Sequence, residues 1–210
     1  MTQKRKFPKW LGITLAVIFL ISMIVGYKAY QIFLGASVTD SQKYLYVHTN
    51  DIYENVLRRI RTENIVKDAD EFDMVAKAMK YPSSVKPGRY KLTENMSNRT
   101  LIGNLRGGYQ DPVTLRFSNI RLKENFAGFL SRNFEPDSLQ FISLLNNEAE
   151  AQKYGFTKEN FYAMFIPNTY ELYWNTSADN VIERLNQEYQ KFWTDERLEK
   201  AKQQNLTPIE

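Results

Sequence analysis

The sequence predicts an α+β protein carried on a single N-terminal transmembrane helix, with a small α+β subdomain followed by the start of a second, mixed α+β domain. Three observations lead there. Trp10–Tyr27 is a run of 18 residues without a charge, close to the roughly 20 that cross about 30 Å of hydrocarbon as a helix. Beyond it, short alternating strand patterns are interleaved with capped amphipathic helices, which is the pattern of mixed folds. Gly107-Gly108 and Pro112 then punctuate the chain and divide it into residues 43–110 and 111–210.

The apolar run sets where the rest of the chain works. Thr14 and Ser22 can return their hydroxyls to the helix's own carbonyls, so neither forbids burial in lipid. Lys4, Arg5, Lys6 and Lys9 precede the run and only Lys28 follows closely. By the positive-inside bias, residues 1–9 stay in the cytoplasm as a basic tail, 10–30 span the membrane, and the bulk is exported. The rival is a cleavable signal peptide. Its apolar region is usually about 7–15 residues and ends in small residues, whereas this run is longer and Tyr27-Lys28-Ala29-Tyr30-Gln31 is a poor cleavage site. Gly35–Gln42 reads as a short polar spacer.

Composition narrows the chemistry. Five of the 28 Lys and Arg lie in residues 1–34, which hold no acid, leaving 23 basic residues against 24 acidic ones outside. The exported part is near neutral and lacks the concentrated basic face that nucleic acid requires; Arg58, Arg59 and Arg61 read as the solvated side of a helix. Without cysteine there are no disulfides, thiol nucleophiles or Cys–zinc sites. One histidine, His48, in a predicted strand, does not supply a triad or a His-rich metal site. No cofactor or metal is expected, and catalysis would rest on carboxylates, hydroxyls, lysines or tyrosines.

Element by element, Lys43–His48 alternates as a first strand. Asp51-x-x-Glu54 reads as a capping box ahead of a helix with Tyr53, Val56, Leu57 and Ile60 on one stripe. Asp68-x-x-Glu71 repeats the signal, with Phe72, Val75, Ala76 and Met79 inward, until Tyr81-Pro82-Ser83-Ser84 ends the helix. Lys86-Pro87-Gly88 turns into a strand, Arg89–Leu92. Ser97 caps a helix bearing Leu101 and Leu105, with Met96 as a staple, and Gly107-Gly108 stops it; lacking a following Lys-Ser/Thr, the glycine pair is no phosphate loop. Val113, Leu115 and Phe117 alternate as a half-buried strand. Leu122, Phe126, Phe129 and Leu130 mark a helix, Pro136-Asp137-Ser138 opens another to about Leu145, and Asn146–Tyr154 is loosely helical. Pro167 breaks the aromatic stretch Phe161–Tyr170, so a helix or strand runs into a fixed turn there. Ser177 caps a helix with Val181, Leu185, Tyr189 and Phe192 on one side, and Asp195–Gln204 is a charged helix. Thr207, Pro208 and Glu210 read as the N-cap, first residue and capping acid of a further helix. One turn does not sustain itself, so the expectation is a chain that continues.

Among residues able to carry chemistry, acid–base work on sugars needs a carboxyl raised by burial. Glu148, Glu150 and Glu159 sit in polar surroundings, Glu210 reads as a cap, and Glu171 beside the aromatic stretch is the acid to examine. Tyr162, Tyr170, Tyr173 and Trp174 offer flat apolar faces with polar tips, suited to a saccharide or to a core. Asn168 and Thr169, held by the Pro167 turn, are placed to meet a ligand's hydroxyls or amides.

Three segments carry a resemblance to the endolytic murein transglycosylases, the YceG-like family. Lys86-Pro87-Gly88-Arg89-Tyr90-Lys91-Leu92, with Met96-Ser97 and Leu101 to Gly107-Gly108, resembles the family's G-x-Y-x-L, small helix, L-x-x-G pattern. Val113-Thr114-Leu115 stands where the family enters its second subdomain. Phe165-Ile166-Pro167-Asn168-Thr169-Tyr170 is similar to the L-F-P-D-T-Y signature. The resemblance implies a membrane helix, a LysM-like glycan-binding subdomain over 43–110 and the first part of a catalytic domain over 111–210. It implies a lyase in the bacterial cytoplasmic membrane that cuts MurNAc–GlcNAc bonds within nascent strands. One glutamic acid protonates the leaving oxygen and then helps deprotonate the muramic O6 hydroxyl, which closes a 1,6-anhydro ring. Peptidoglycan strands, the membrane and peptidoglycan synthases are the implied partners, and Asn168, Thr169, Tyr170 and Tyr162 the implied substrate-binding residues. The chain departs from the family in two places before its end: Arg116-Phe117-Ser118-Asn119 replaces an I-P-E-G turn, and Asn168 replaces the signature aspartate. The family's catalytic glutamate is expected beyond Glu210, so no catalytic residue is assigned and the 210 residues are expected to lack lytic activity. The alternative is a non-catalytic, membrane-tethered glycan-binding or division-scaffold protein.

Overall fold

The computed structural model describes residues 9–39, 43–118 and 122–209. Helix α1 (Lys9–Leu34) continues beyond the apolar run; its Trp10–Leu34 portion, with no residue buried, is the one helix among the described residues long and apolar enough to cross a membrane. Thr14 and Ser22 donate to the carbonyls of Leu11 and Phe19, as lipid burial requires. The chain forms two compact units, Met1–Lys86 with Tyr90–Tyr109, and Pro87–Arg89 with Gln110–Glu210. The architecture is mixed: mostly helix, with two small two-stranded sheets.

In the first unit, β1 (Tyr44–Val47) pairs with β2 (Gly88–Lys91). Between them run α2 (Tyr53–Thr62) and α3 (Ala69–Ala78), and α4 (Asn98–Gly107) follows. Leu45, Val56, Ile60, Phe72, Tyr90 and Leu101 are among the side chains that close the core. Asp68 caps α3, Ser97 caps α4, and α4 ends on Gly108 at φ 74, a left-handed position that favours glycine.

Two expectations are corrected here. Asp51 does not cap α2: the N-cap is Ile52, without a side-chain bond. The Asp51 carboxylate instead accepts from the His48 N–H at 2.8 Å and pairs with Arg59 at 2.7 Å, a charged partner outcompeting the helix end. The described part of the spacer is no loose tether either. Ala36 bridges Ser97 and Val38 bridges Val66; the N–H groups of Ser37 and Val38 both donate to Met96 O, and Val38 is 3% exposed. Small and hydroxyl residues gave no alternation to read, yet the N–H groups of Gly35, Ser37, Val38 and Thr39 all find backbone acceptors. Lys4, Arg5, Lys6, the last residues of the spacer, Asn119 and Glu210 lie outside the described residues. Pro208 and Ile209 form a turn.

In the second unit, β3 (Val113–Arg116) pairs antiparallel with β4 (Thr169–Leu172), in the register Val113–Leu172, Thr114–Glu171, Leu115–Tyr170 and Arg116–Thr169. Around this ribbon lie α5 (Lys123–Ser131), α6 (Ser138–Leu145), α7 (Glu148–Lys153), α8 (Ala178–Phe192) and α9 (Asp195–Gln203). Alternation puts Val113, Leu115, Tyr170 and Leu172 in the core with Phe126, Phe161 and Leu185, and leaves Thr114, Arg116, Thr169 and Glu171 exposed. Asp137 with Gln140 makes a reciprocal capping box on α6, and Ser177 caps α8.

Candidate functional site

Pro167 fixes its own φ and offers no N–H, so in the link from the 3₁₀ turn Phe161–Met164 into β4 the backbone bonds of Phe165 and Ile166 to Tyr162 O and Met164 O are supplemented by side chains. The Tyr170 hydroxyl donates to the Ile166 carbonyl at 2.5 Å, and Asn168 Oδ1 accepts the Thr169 N–H at 2.8 Å. The Tyr170 ring is 1% exposed and stacks on Phe117, with centroids 5.5 Å apart and planes 2° from parallel. Burial, with Glu188 of α8 adding to it, pushes the Tyr170 phenol up to about 12, so at neutral pH it remains a donor.

The four residues anticipated at the site therefore fall into different settings. Asn168 and Thr169 are exposed beside Pro167. Tyr170 lies behind them, its hydroxyl committed to the backbone. Tyr162 is half-buried, edge-on to Phe126 and Phe165 at 5.8 and 5.7 Å, and burial raises its phenol pKa. A groove of about 320 Å³ is lined by Arg116, Phe117, Ser118, Pro167, Asn168 and Thr169, without Tyr162 or Tyr170. A second, also about 320 Å³, is lined by Pro112, Glu171, Leu172 and Tyr173. Tyr173 is 54% exposed, whereas Trp174 is buried in the core. Between the two grooves, the polar face of the β3–β4 ribbon presents a cation, hydroxyls, an amide, a carboxylate and one free aromatic face.

The acids do not have the setting of a general acid. Glu171 is exposed opposite Thr114. Glu148 accepts from Gln152 and from the Lys158 N–H, and Glu150 meets Lys153 at 3.4 Å. The Glu159 carboxyl is held below its usual range by its own N–H and the Thr157 hydroxyl. Hydrogen bonds from Arg184 and Lys191 lower that of Glu188. Each described carboxyl with a resolved departure, Asp51 and Asp73 included, is displaced downward, opposite to what proton donation at neutral pH needs. Among the described residues no group of three or more His, Asp or Glu is gathered to hold a metal ion. His48 is exposed.

Two cations escaped the sequence reading. Lys123 donates to the carbonyls of Leu145 (2.8 Å) and Lys158, joining α5 to the ends of two other segments, and burial lowers its pKa. Arg116 reads in the sequence as the polar side of a half-buried strand and as a departure from a motif, with no ligand role. The signal for it was present in the alternation of Val113, Leu115 and Phe117, which turns Arg116 outward.

A family model described as the YceG-like family matches residues 45–210, most of the chain and all of the groove-forming segments. No curated protein and no solved structure matches.

Proposed function

The chain belongs to the YceG-like family, the endolytic murein transglycosylases, and from that premise we propose that it engages nascent peptidoglycan strands along the polar face of the β3–β4 ribbon. Its function is murein transglycosylase-related at the family level, and an apolar N-terminal helix fits membrane anchoring. The finer reading is lytic cleavage within the strand at MurNAc–GlcNAc bonds, leaving 1,6-anhydro ends, next to synthases at the outer side of a bacterial cytoplasmic membrane. The basic residues ahead of α1 favour that orientation. The β1–α2–α3–β2 order supports a LysM-like subdomain that holds glycan close to the bilayer.

The observation that carries the strand-binding assignment is the exposed turn Pro167-Asn168-Thr169, backed by Tyr170 and lying within the family match. Asn168 and Thr169 contact the strand, and Tyr170 positions them. Because no aspartate or glutamate among the described residues is buried, none of them has the setting of a general acid, and on this reading the 210 residues by themselves hold strands without cutting them. The test is to incubate the full chain, in detergent micelles, with purified glycan strands and to measure both strand retention and anhydro-muropeptides by mass spectrometry. Retention without anhydro product is expected, with retention falling in Asn168→Ala/Thr169→Ala. Anhydro-muropeptides above the blank would overturn the non-cutting assignment. Retention unchanged by the double substitution would move the binding surface elsewhere.

A further inference from the structure

The groove at the Pro167 turn presents donors and a positive charge, with no carboxylate among its described lining residues. Asn168 spends its Oδ1 on the Thr169 N–H, which leaves its amide hydrogens for a ligand. Ser118 and Thr169 add hydroxyls, and Arg116 stands directly across the ribbon from Thr169. The Arg116 side chain has no hydrogen bond or ion pair to any described residue. Other arginines of this unit differ: Arg89 is engaged by Asp111 at 2.8 Å, Arg184 by Glu188, and Arg197 by the Phe192 carbonyl and ring. Glu171, on the same face two residues along, lines the other groove and makes no pair with Arg116. Phe117 also lines the groove and is held by its stack on Tyr170, which gives the site a fixed apolar wall.

A planar fork of donors beside an amide and two hydroxyls matches a carboxylate, which accepts two parallel hydrogen bonds from arginine. A neutral sugar hydroxyl uses little of that capacity. Murein strands carry carboxylates on their peptide stems. We propose that Arg116 reads a stem carboxylate, so that this groove selects stem-bearing strands over bare glycan. The proposal rests on the strand-binding reading above and adds the chemical class that the groove distinguishes.

The experiment measures dissociation constants of the full chain in detergent micelles for two probes: strands with intact stems, and the same strands stripped of stems by an amidase, with the lactyl carboxyl freed by that cleavage capped as an amide. A third probe carries stems whose carboxyls are amidated. Stem-bearing strands are expected to bind about tenfold tighter than stripped ones, the scale of one partly exposed charged hydrogen bond. Amidation is expected to abolish the difference. Arg116→Ala should bring the ratio to about one and Arg116→Lys to an intermediate value, because a point charge keeps attraction and loses the fork. Arg132→Ala removes the other partnerless arginine described in this unit, away from the groove, and should keep the ratio. Equal binding of the three probes by the unsubstituted chain, or a ratio unchanged in Arg116→Ala, overturns the proposal while leaving strand binding intact. Failure of the unsubstituted chain to bind any of the strands overturns the strand-binding reading itself, and this proposal with it.

Discussion

Tyr170→Phe separates support from contact at the proposed site. The substitution keeps the ring, and with it the stack on Phe117 at 5.5 Å, so no cavity opens. What it removes is one hydrogen bond, to the Ile166 carbonyl, across a turn in which Pro167 has no N–H to donate. Ile166 is half-buried, so water can reach the released carbonyl, and the loss is about 1 kcal/mol, the usual net worth of such a bond. If the bound form of the turn loses that much against its alternatives, apparent affinity falls by at most about fivefold. Titrating the full chain in micelles with purified strands should therefore give a two- to fivefold weaker dissociation constant, roughly the range that 1 kcal/mol allows. A loss on the order of a hundredfold would refute the reasoning, since a hydroxyl behind the wall cannot lose that much without touching the strand. Tyr170→Ala is the contrasting case: truncating a fully buried ring costs about 3–5 kcal/mol and should loosen the unit itself.

Burial pushes the Asp51 carboxyl up, but hydrogen bonds from Arg59 and the His48 N–H outweigh it and hold the group below its ordinary value. Its contribution to stability is therefore complete above the unfolded pKa near 4 and declines as pH falls through the lower folded value. Corrected for intrinsic exchange rates, protection at α2 should fall on acidification below about pH 4, and less so in Asp51→Asn; identical acid profiles would contradict the assignment. Asn98 is 0% exposed and donates from Nδ2 to Ile32 O at 3.0 Å. Asn98→Asp buries an acid there with its pKa raised, so stability is kept at low pH and lost as pH rises, on the order of 4 kcal/mol at neutrality. Corrected for intrinsic exchange rates, protection at residues 32–38 should fall between pH 4 and 7 in this variant alone. Lys123→Met strands the two carbonyls that its ammonium holds and should cost about 1–3 kcal/mol, read as a lower urea midpoint for the tertiary signal of the second unit.

What the sequence made legible was what local chemistry writes alone. Ser97, Asp68, Asp137 and Ser177 cap the helices where their hydroxyls and carboxylates said they would. The buried stripes of Tyr53, Val56 and Ile60, and of Val181, Leu185 and Tyr189, followed from 3.6-residue spacing. Asp51 misled because capping is a competition, and Arg59, eight residues on in sequence, won the carboxylate. β4 was hidden because Thr169–Leu172 alternates over only four residues and needs Val113–Arg116 beside it to be a strand. The same pairing decides the site. Asn168 and Thr169 were chosen for the turn they flank, but which of the neighbouring rings face out, Tyr173 rather than Tyr170 or Trp174, is set by the register with β3. No reading of one strand contains that register.

The join between α1 and the first unit bears on how an anchored strand-binding protein would work. Trp10–Leu34 is 25 residues, about 38 Å of helix, against about 30 Å of hydrocarbon. The surplus of about one and a half turns is not idle. Ile32 and Phe33 pack on the core of the first unit, Asn98 holds the Ile32 carbonyl, and Ser37, Val38 and Thr39 continue at once into backbone bonds with Met96 and Ile65. A flexible linker would let the unit sample a volume that grows with linker length. Here the last turns of the helix are a part of the folded core, so tilting the helix tilts the unit. A glycan-binding surface on that unit would meet its strands at one height and one angle above the lipid. Gln31 and Gly35 close the final helical turn at 2.9 Å, and the chain has no free residue between that bond and the bridge from Ala36 to Ser97. Inserting a short Gly-Ser segment after Gly35 would test the point: the unit should stay folded, because its core residues are untouched apart from Ile32 and Phe33, while its fixed geometry over the bilayer is lost.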